Sequence, residues 1–201
     1  MGSVRKKVRA GASRTAGPPP VQRIRTGAHA ARAAAAPGVH CAILTVSDTR
    51  RGEEDTSGAA IQRLLERAGH VVAARAWVND ERRSIRAAAR ALLARRGVRV
   101  VLVTGGTGMS PRDVTPEAVA PLFDRVLPGF GEAFRARSWA QVGAAAWFSR
   151  AAAGVAKGRL LVLLPGSRAA VTLALKELLI PELHHVERML GATPAAARRA
   201  R

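Results

Sequence analysis

The chain has 201 residues, 48% of them hydrophobic, and one cysteine. That length suits one α/β domain with a sizeable core, and a lone cysteine excludes a disulfide framework or a cysteine-based zinc site within one chain. The formal net charge is +19, but eight basic and no acidic residues lie in 1–39 and three arginines in the last four, leaving 22 basic against 14 acidic residues between.

Residues 1–39 are rich in Arg, Ala, Pro and Gly and lack a periodic apolar pattern, so they read as a disordered basic extension, solvated or serving as an arm for an acidic partner. With 3% aromatic residues and no Tyr, a base-stacking surface is not expected and nucleic acid is a weak candidate partner. Order should begin near His40, giving a domain over 40–190 and a basic tail over 191–201. The run CAILTVSD is a first strand ending in Ser47 and Asp48. Thr56 or Ser57 can cap the following helix, whose apolar positions Ile61, Leu64, Leu65 and Ala68 recur at helical spacing before Gly69 stops it.

Val71–Val78 is the next strand, followed by the turn Asn79, Asp80, Glu81 and a helix over 84–96 with Ile85, Ala88, Ala89, Leu92 and Leu93 inward. A strand over 98–103 then runs into TGGTGMSPRDVTP, where Gly105, Gly106 and Gly108 allow positive φ and bring backbone N–H groups close to a ligand, and Thr107 and Ser110 add hydroxyls. This is an anion cradle, yet it lacks both the Gly-Lys-Ser/Thr of a Walker A loop and the G-x-G-x-x-G spacing of a dinucleotide turn. Pro116 suits the first turn of a helix to Phe123. The chain from 128 to 154 reads as mainly helical, with Phe130, Phe134, Trp139, Trp147 and Phe148 as core or subunit contacts. A last strand, RLLVLL, leads through Pro165, Gly166 and Ser167 into a helix toward Ile180, and Pro181 restarts a final helix to about Leu190.

Strands alternating with helices imply a three-layer α/β/α fold on a mostly parallel sheet, in which ligands bind at the carboxyl ends of the strands. Asp48, Asp80 and Asp113 all fall at such ends. Together they could hold Mg²⁺, which takes oxygen ligands and bridges one or two carboxylates to substrate phosphates; singly, each could cap a helix or tie a turn. Ser167 could offer a helix N-terminus to a phosphate or simply cap it. Arg150, after Ser149, could clamp a phosphate or form a surface ion pair. His184 and His185 sit in the last helix with no carboxylate or histidine at the metal-binding spacing of a known motif, and read as surface or interface residues. No apolar run approaches the roughly 20 residues of a membrane span, so a soluble, cytoplasmic protein is expected.

The segments AILTVSDTRRGEEDTSG, VLVTGGTGMSPRDVTPEAV, PGFGEAFR and LLVLLPGS, in this order, resemble the MoaB/Mog family of molybdenum cofactor biosynthesis proteins over about residues 40–190. DTSG and FSRAAAGVA make the chain more similar to the MoaB branch. The resemblance implies a homo-oligomer, a trimer or a hexamer, that binds molybdopterin and uses ATP and Mg²⁺ to adenylylate its terminal phosphate, releasing pyrophosphate. It further implies that Asp80 and Asp113 match the functionally important aspartates and hold Mg²⁺, that Ser149 matches a pterin-pocket serine, and that a molybdenum-insertion partner acts downstream. A non-catalytic pterin carrier or scaffold is the alternative within the same family.

Overall fold

Unbroken apolar runs make strands that need cover on both faces, and the computed structural model, which describes residues 37–191, provides it. The expectations for residues 1–36 and 192–201 lie outside the described residues. The elements are β1 (His40–Val46), α1 (Thr56–Arg67), β2 (Val71–Val78), α2 (Arg82–Ala94), β3 (Val100–Thr104), α3 (Thr115–Val119), β4 (Arg125–Val126), α4 (Pro128–Val142), β5 (Ala152–Ala156), β6 (Arg159–Leu164), α5 (Arg168–Leu173) and α6 (Leu183–Gly191).

The strands form one six-stranded sheet in the order β2-β1-β3-β6-β5-β4. The first four are parallel, and β5 and β4 join antiparallel at one side. Because side chains alternate along a strand, neighbouring residues feed two separate cores. Ile43, Leu102 and Val162 meet Ile61 and Leu65 of α1, Phe134 of α4 and Val171 of α5 on one face. On the other, Leu44, Val101, Val103 and Leu163 meet Ile85, Ala89 and Leu93 of α2 and Val119 of α3. These are the two outer layers of an α/β/α sandwich around a mostly parallel sheet.

Three local expectations are corrected. Residues 152–156 form β5 rather than helix: Ala156 pairs with Arg159 across Lys157 and Gly158, both at positive φ (51° and 69°), which is the two-residue turn that matches strand twist. The α1 cap is Asp55, whose carboxylate accepts the Gly58 N–H at 2.7 Å, rather than Thr56 or Ser57. The helix after Ser167 changes at Ala174 to a π-helical turn, then to a 3-10 turn at Pro181, because proline supplies no N–H and displaces the preceding carbonyl.

Cys41 lies in β1 with no exposure, and burial, with the Glu187 charge second, pushes its thiol up to about 12. A water-soluble alkylating reagent is therefore expected to label the native chain negligibly at pH 8 and the denatured chain fully. Rapid native labelling would contradict the burial of β1.

Candidate functional site

The loops leaving β1, β2, β3 and β6 converge on a pocket of about 660 Å³ at the carboxyl edge of the parallel strands. Of the residues singled out from the sequence, Ser47, Asp48, Asp80, Gly105, Gly106, Thr107, Gly108, Asp113, Ser149, Pro165, Gly166 and Ser167 line it. Ser110 and Arg150 do not.

The glycine loop is shaped by close backbone approaches. Gly105, at φ +105°, leaves a Cβ position only 2.1 Å from the Val46 carbonyl oxygen. Gly106, at φ +61°, has its Cβ position 2.4 Å from Thr115 Oγ1 and 2.8 Å from Asp80 Oδ1. Gly108, by contrast, does not adopt positive φ; its small size matters because Asp113 Oδ2 lies 2.9 Å from where a Cβ would stand. Gly106→Ala is expected to cost roughly 1–3 kcal/mol from backbone strain and the Thr115 collision, read as a lower melting temperature. An unchanged melt would mean that the loop adapts freely.

Each aspartate is tied into this loop system. Asp48 accepts the Asp80 N–H at 3.0 Å and an ion pair from Arg112, and these two contacts hold its carboxyl below the usual range. Asp113 accepts the Ser110 N–H at 3.0 Å, so Ser110 shapes the turn. Asp80 accepts a long bond from the Val114 N–H, 3.4 Å. Burial pushes the Asp80 carboxyl above its ordinary value; that hydrogen bond opposes the rise, and the Asp113 and Asp48 charges reinforce it. One carboxylate is thus ionised at a disadvantage in a pocket shared with three more, those of Asp48, Asp55 and Asp113.

Arg150 faces the loop rather than the pocket. Its guanidinium donates to the Gly108 carbonyl at 2.9 Å and the Asp113 carbonyl at 2.5 Å, and pairs with Glu117. Those contacts lock the cradle in place. Ser167 caps α5 through the Ala170 N–H at 3.2 Å, and Ser47 accepts the Arg50 N–H at 3.0 Å, so both hydroxyls already serve local turns. The Ser149 hydroxyl accepts the Ala151 N–H at 3.3 Å.

The sequence reading missed Asp55, Arg112 and Phe148. Asp55 is 1% exposed and lines the pocket floor; a buried carboxylate at a helix start was legible from its place before Thr-Ser-Gly. Arg112 spans from the glycine loop to Asp48. Phe148 borders the mouth at 61% exposure, near the exposed Trp139 and Trp147, whose rings lie 6.1 Å apart; of the five aromatics expected to be core or subunit contacts, Phe134 is in the core.

Among the described residues, no three His, Cys, Asp or Glu side chains are grouped closely enough to hold a metal ion. Mg²⁺ needs only one or two carboxylates, because it completes its shell with water and substrate phosphate. Asp80, whose carboxyl is pushed up by burial, and Thr115, whose buried Oγ1 has no hydrogen-bond partner, are the two groups there that a cation would relieve. No helix among the described residues is long and apolar enough to cross a membrane.

A mostly parallel three-layer α/β fold with a glycine-rich, carboxylate-bearing pocket at its strand ends defines the class of α/β proteins that bind ligands at that edge, and comparison with known proteins narrows it. The family described as "Probable molybdopterin binding domain" matches residues 42–185. Molybdenum cofactor biosynthesis protein B of Bacillus subtilis (strain 168) is 47% identical over 151 residues, 75% of this chain and 89% of the relative. A crystal structure of molybdenum cofactor biosynthesis protein B superposes with a TM-score of 0.76 at 44% identity, over 78% of this chain and 98% of the other. The tungsten cofactor synthesizing protein MoaB from Pyrococcus furiosus gives 0.70 at 35% identity, over 79% and 100%. The chain belongs to the MoaB/Mog family of molybdenum cofactor biosynthesis proteins and is B-like.

Proposed function

We propose that the chain adenylylates the terminal phosphate of molybdopterin with ATP, releasing pyrophosphate. The observation that carries this reading is the convergence, in one pocket, of the Gly105–Gly106 cradle with Asp80 and Asp113. In the reaction an oxygen of the pterin phosphate forms a bond to the α-phosphorus of ATP as the bond from that phosphorus to the bridging oxygen of the β-phosphate breaks. Both reactants are anions, so the approach must be positioned and screened.

Backbone N–H groups of the cradle bind and orient phosphate oxygens. Asp80 and Asp113 would hold Mg²⁺, which supplies neutralisation of the triphosphate and of the departing pyrophosphate. Arg112, at the mouth, can exchange Asp48 for a phosphate oxygen. Arg150 keeps the loop from retreating as charge enters. Phe148 and Ala145 form an apolar flank that excludes water from one side.

The test is pyrophosphate release by the full chain with molybdopterin, ATP and Mg²⁺, compared with Asp113→Asn. Loss of release with pterin affinity retained supports the assignment; an active Asn variant removes Asp113 from the metal role. A second reading is a non-catalytic pterin carrier or scaffold, which would use the glycine cradle of the same pocket without a cation. It predicts tight pterin binding without pyrophosphate.

A further inference from the structure

We propose that the outward face of α2 docks a partner protein through an acidic helix. The charge distribution is the first observation. Residues 82–96 carry six arginines and no acidic residue, whereas the 22 basic residues between the two tails exceed the 14 acidic ones by only eight. Six of those eight excess charges therefore sit on one helix and the turn after it.

Geometry is the second. Arg82, Arg86 and Arg90 recur every four residues, so they form a row along one side of the helix with a rise of about 6 Å per step. With Arg83 and Ala87 they line a shallow groove of about 350 Å³ on the surface away from the core. Ile85, Ala89, Leu92 and Leu93 fill the opposite side. Arg86 is held in the middle of the row, donating to the backbone carbonyls of Ala118 at 2.9 Å and Glu117 at 3.3 Å. No ion pair among the described residues uses Arg82, Arg83 or Arg90, although the charge of Arg83 is felt by Glu81 and that of Arg82 by Glu117.

The complementary surface is a helix with Asp or Glu at the same four-residue interval, whose carboxylates would stand about 6 Å apart. Arginine favours such pairs because its planar fork can meet a carboxylate with two bonds. Exposed Ala87 and Ala91 leave a low apolar floor on which a second helix can rest. The face has no aromatic ring to stack on a base and no Asn or Gln to read one, which favours protein over nucleic acid. Asp80 of the pocket lies two residues before Arg82, so a partner docked here stands beside the pocket rim. The inference does not depend on what the pocket catalyses.

The probe is a fluorescent 18-residue helical peptide with Glu at every fourth position, set against a peptide of equal composition with its Glu residues in one block. Anisotropy with the full chain should show the spaced peptide binding about tenfold tighter, with affinity falling as salt rises. Arg83→Glu with Arg90→Glu should weaken it about tenfold or more. Arg198→Glu with Arg199→Glu, the same change of charge in the tail, should leave it unaltered. Should the reversal variant melt early, Arg83→Ala with Arg90→Ala provides the same comparison. Equal binding of the two peptides, equal loss from the tail variant, or no peptide binding overturns the proposal. Tighter binding of a 20-base-pair DNA duplex, lost in the α2 variant, would overturn it in favour of nucleic acid.

Discussion

Asp80→Asn is expected to lower pyrophosphate release about 100- to 1,000-fold while leaving the protein at least as stable at pH 7 as the parent chain. Both halves follow from one environment. Burial, reinforced by the charges of Asp113 and Asp48, raises the Asp80 carboxyl above its ordinary value. The native state therefore keeps its proton at a pH where the unfolded chain has already released it. Stability falls as pH rises from the unfolded carboxylate range through the raised native value. Asparagine retains an acceptor for the Val114 N–H and removes the charge, so that loss disappears. Activity in the parent should instead rise with pH through the same window, as the carboxylate becomes available to a cation, and raising Mg²⁺ should move the midpoint down. Thermal melts from pH 4 to 8 with and without Mg²⁺, alongside kcat, read both effects. An Asn variant that is active, or that gains nothing in stability at pH 7 relative to pH 4, would remove Asp80 from this role.

That a site places a carboxylate where it is uncomfortable is an indication of function, because structural carboxylates are ordinarily surrounded by donors. Asp48 shows the contrast in the same pocket, stabilised as an anion by a backbone N–H and Arg112. The two carboxylates are linked, since the N–H that Asp48 accepts belongs to Asp80. Asp48 thereby fixes the backbone that presents Asp80.

The parallel strands were legible because Val, Ile and Leu runs bounded by glycine leave few alternatives, and the pocket because polar groups at the carboxyl ends of such strands must converge. β5 was not, because Ala152, Ala153 and Ala156 carry no strand preference of their own; pairing with β6 across the Lys157–Gly158 turn decides their conformation. For Arg150 the sequence left a phosphate clamp and an ion pair open, and the ion pair with Glu117 is present. A sequence does not show that two carbonyls of the glycine loop, Gly108 and Asp113, accept the donors of a guanidinium so far along the chain. Asp55 was passed over because its five donors come from α1 and two strands, a gathering that only the register of β1 with β2 creates: Thr45 is paired with Trp77 and Ile43 with Arg75.

Asp55→Ala is expected to be the most destabilising single change at the site, costing roughly 3–5 kcal/mol at pH 7 because it leaves a partly buried guanidinium without its counter-charge. The Asp55 side chain has no solvent exposure and Arg75 is 21% exposed. Its carboxylate accepts bonds from the Gly58 N–H at 2.7 Å, Thr45 Oγ1 and Arg75 at 2.8 Å, Trp77 Nε1 at 3.0 Å and Ser57 Oγ at 3.1 Å. Burial works against its ionisation, but these bonds prevail and hold its carboxyl below the usual carboxylate range. Its contribution is thus fully present above the unfolded value of about 3.9 and is lost as pH falls through the lower native one. The stability difference between parent and Asp55→Ala should accordingly be large at pH 7 and shrink below about pH 4, as measured by denaturant unfolding at both. Asp55→Asn should be intermediate, since the amide keeps an acceptor for Gly58 but turns an N–H group toward donors. A variant within about 1 kcal/mol of the parent at pH 7 would show that the network's desolvation cost cancels its bonds, and would leave Asp55 free to serve the pocket alone.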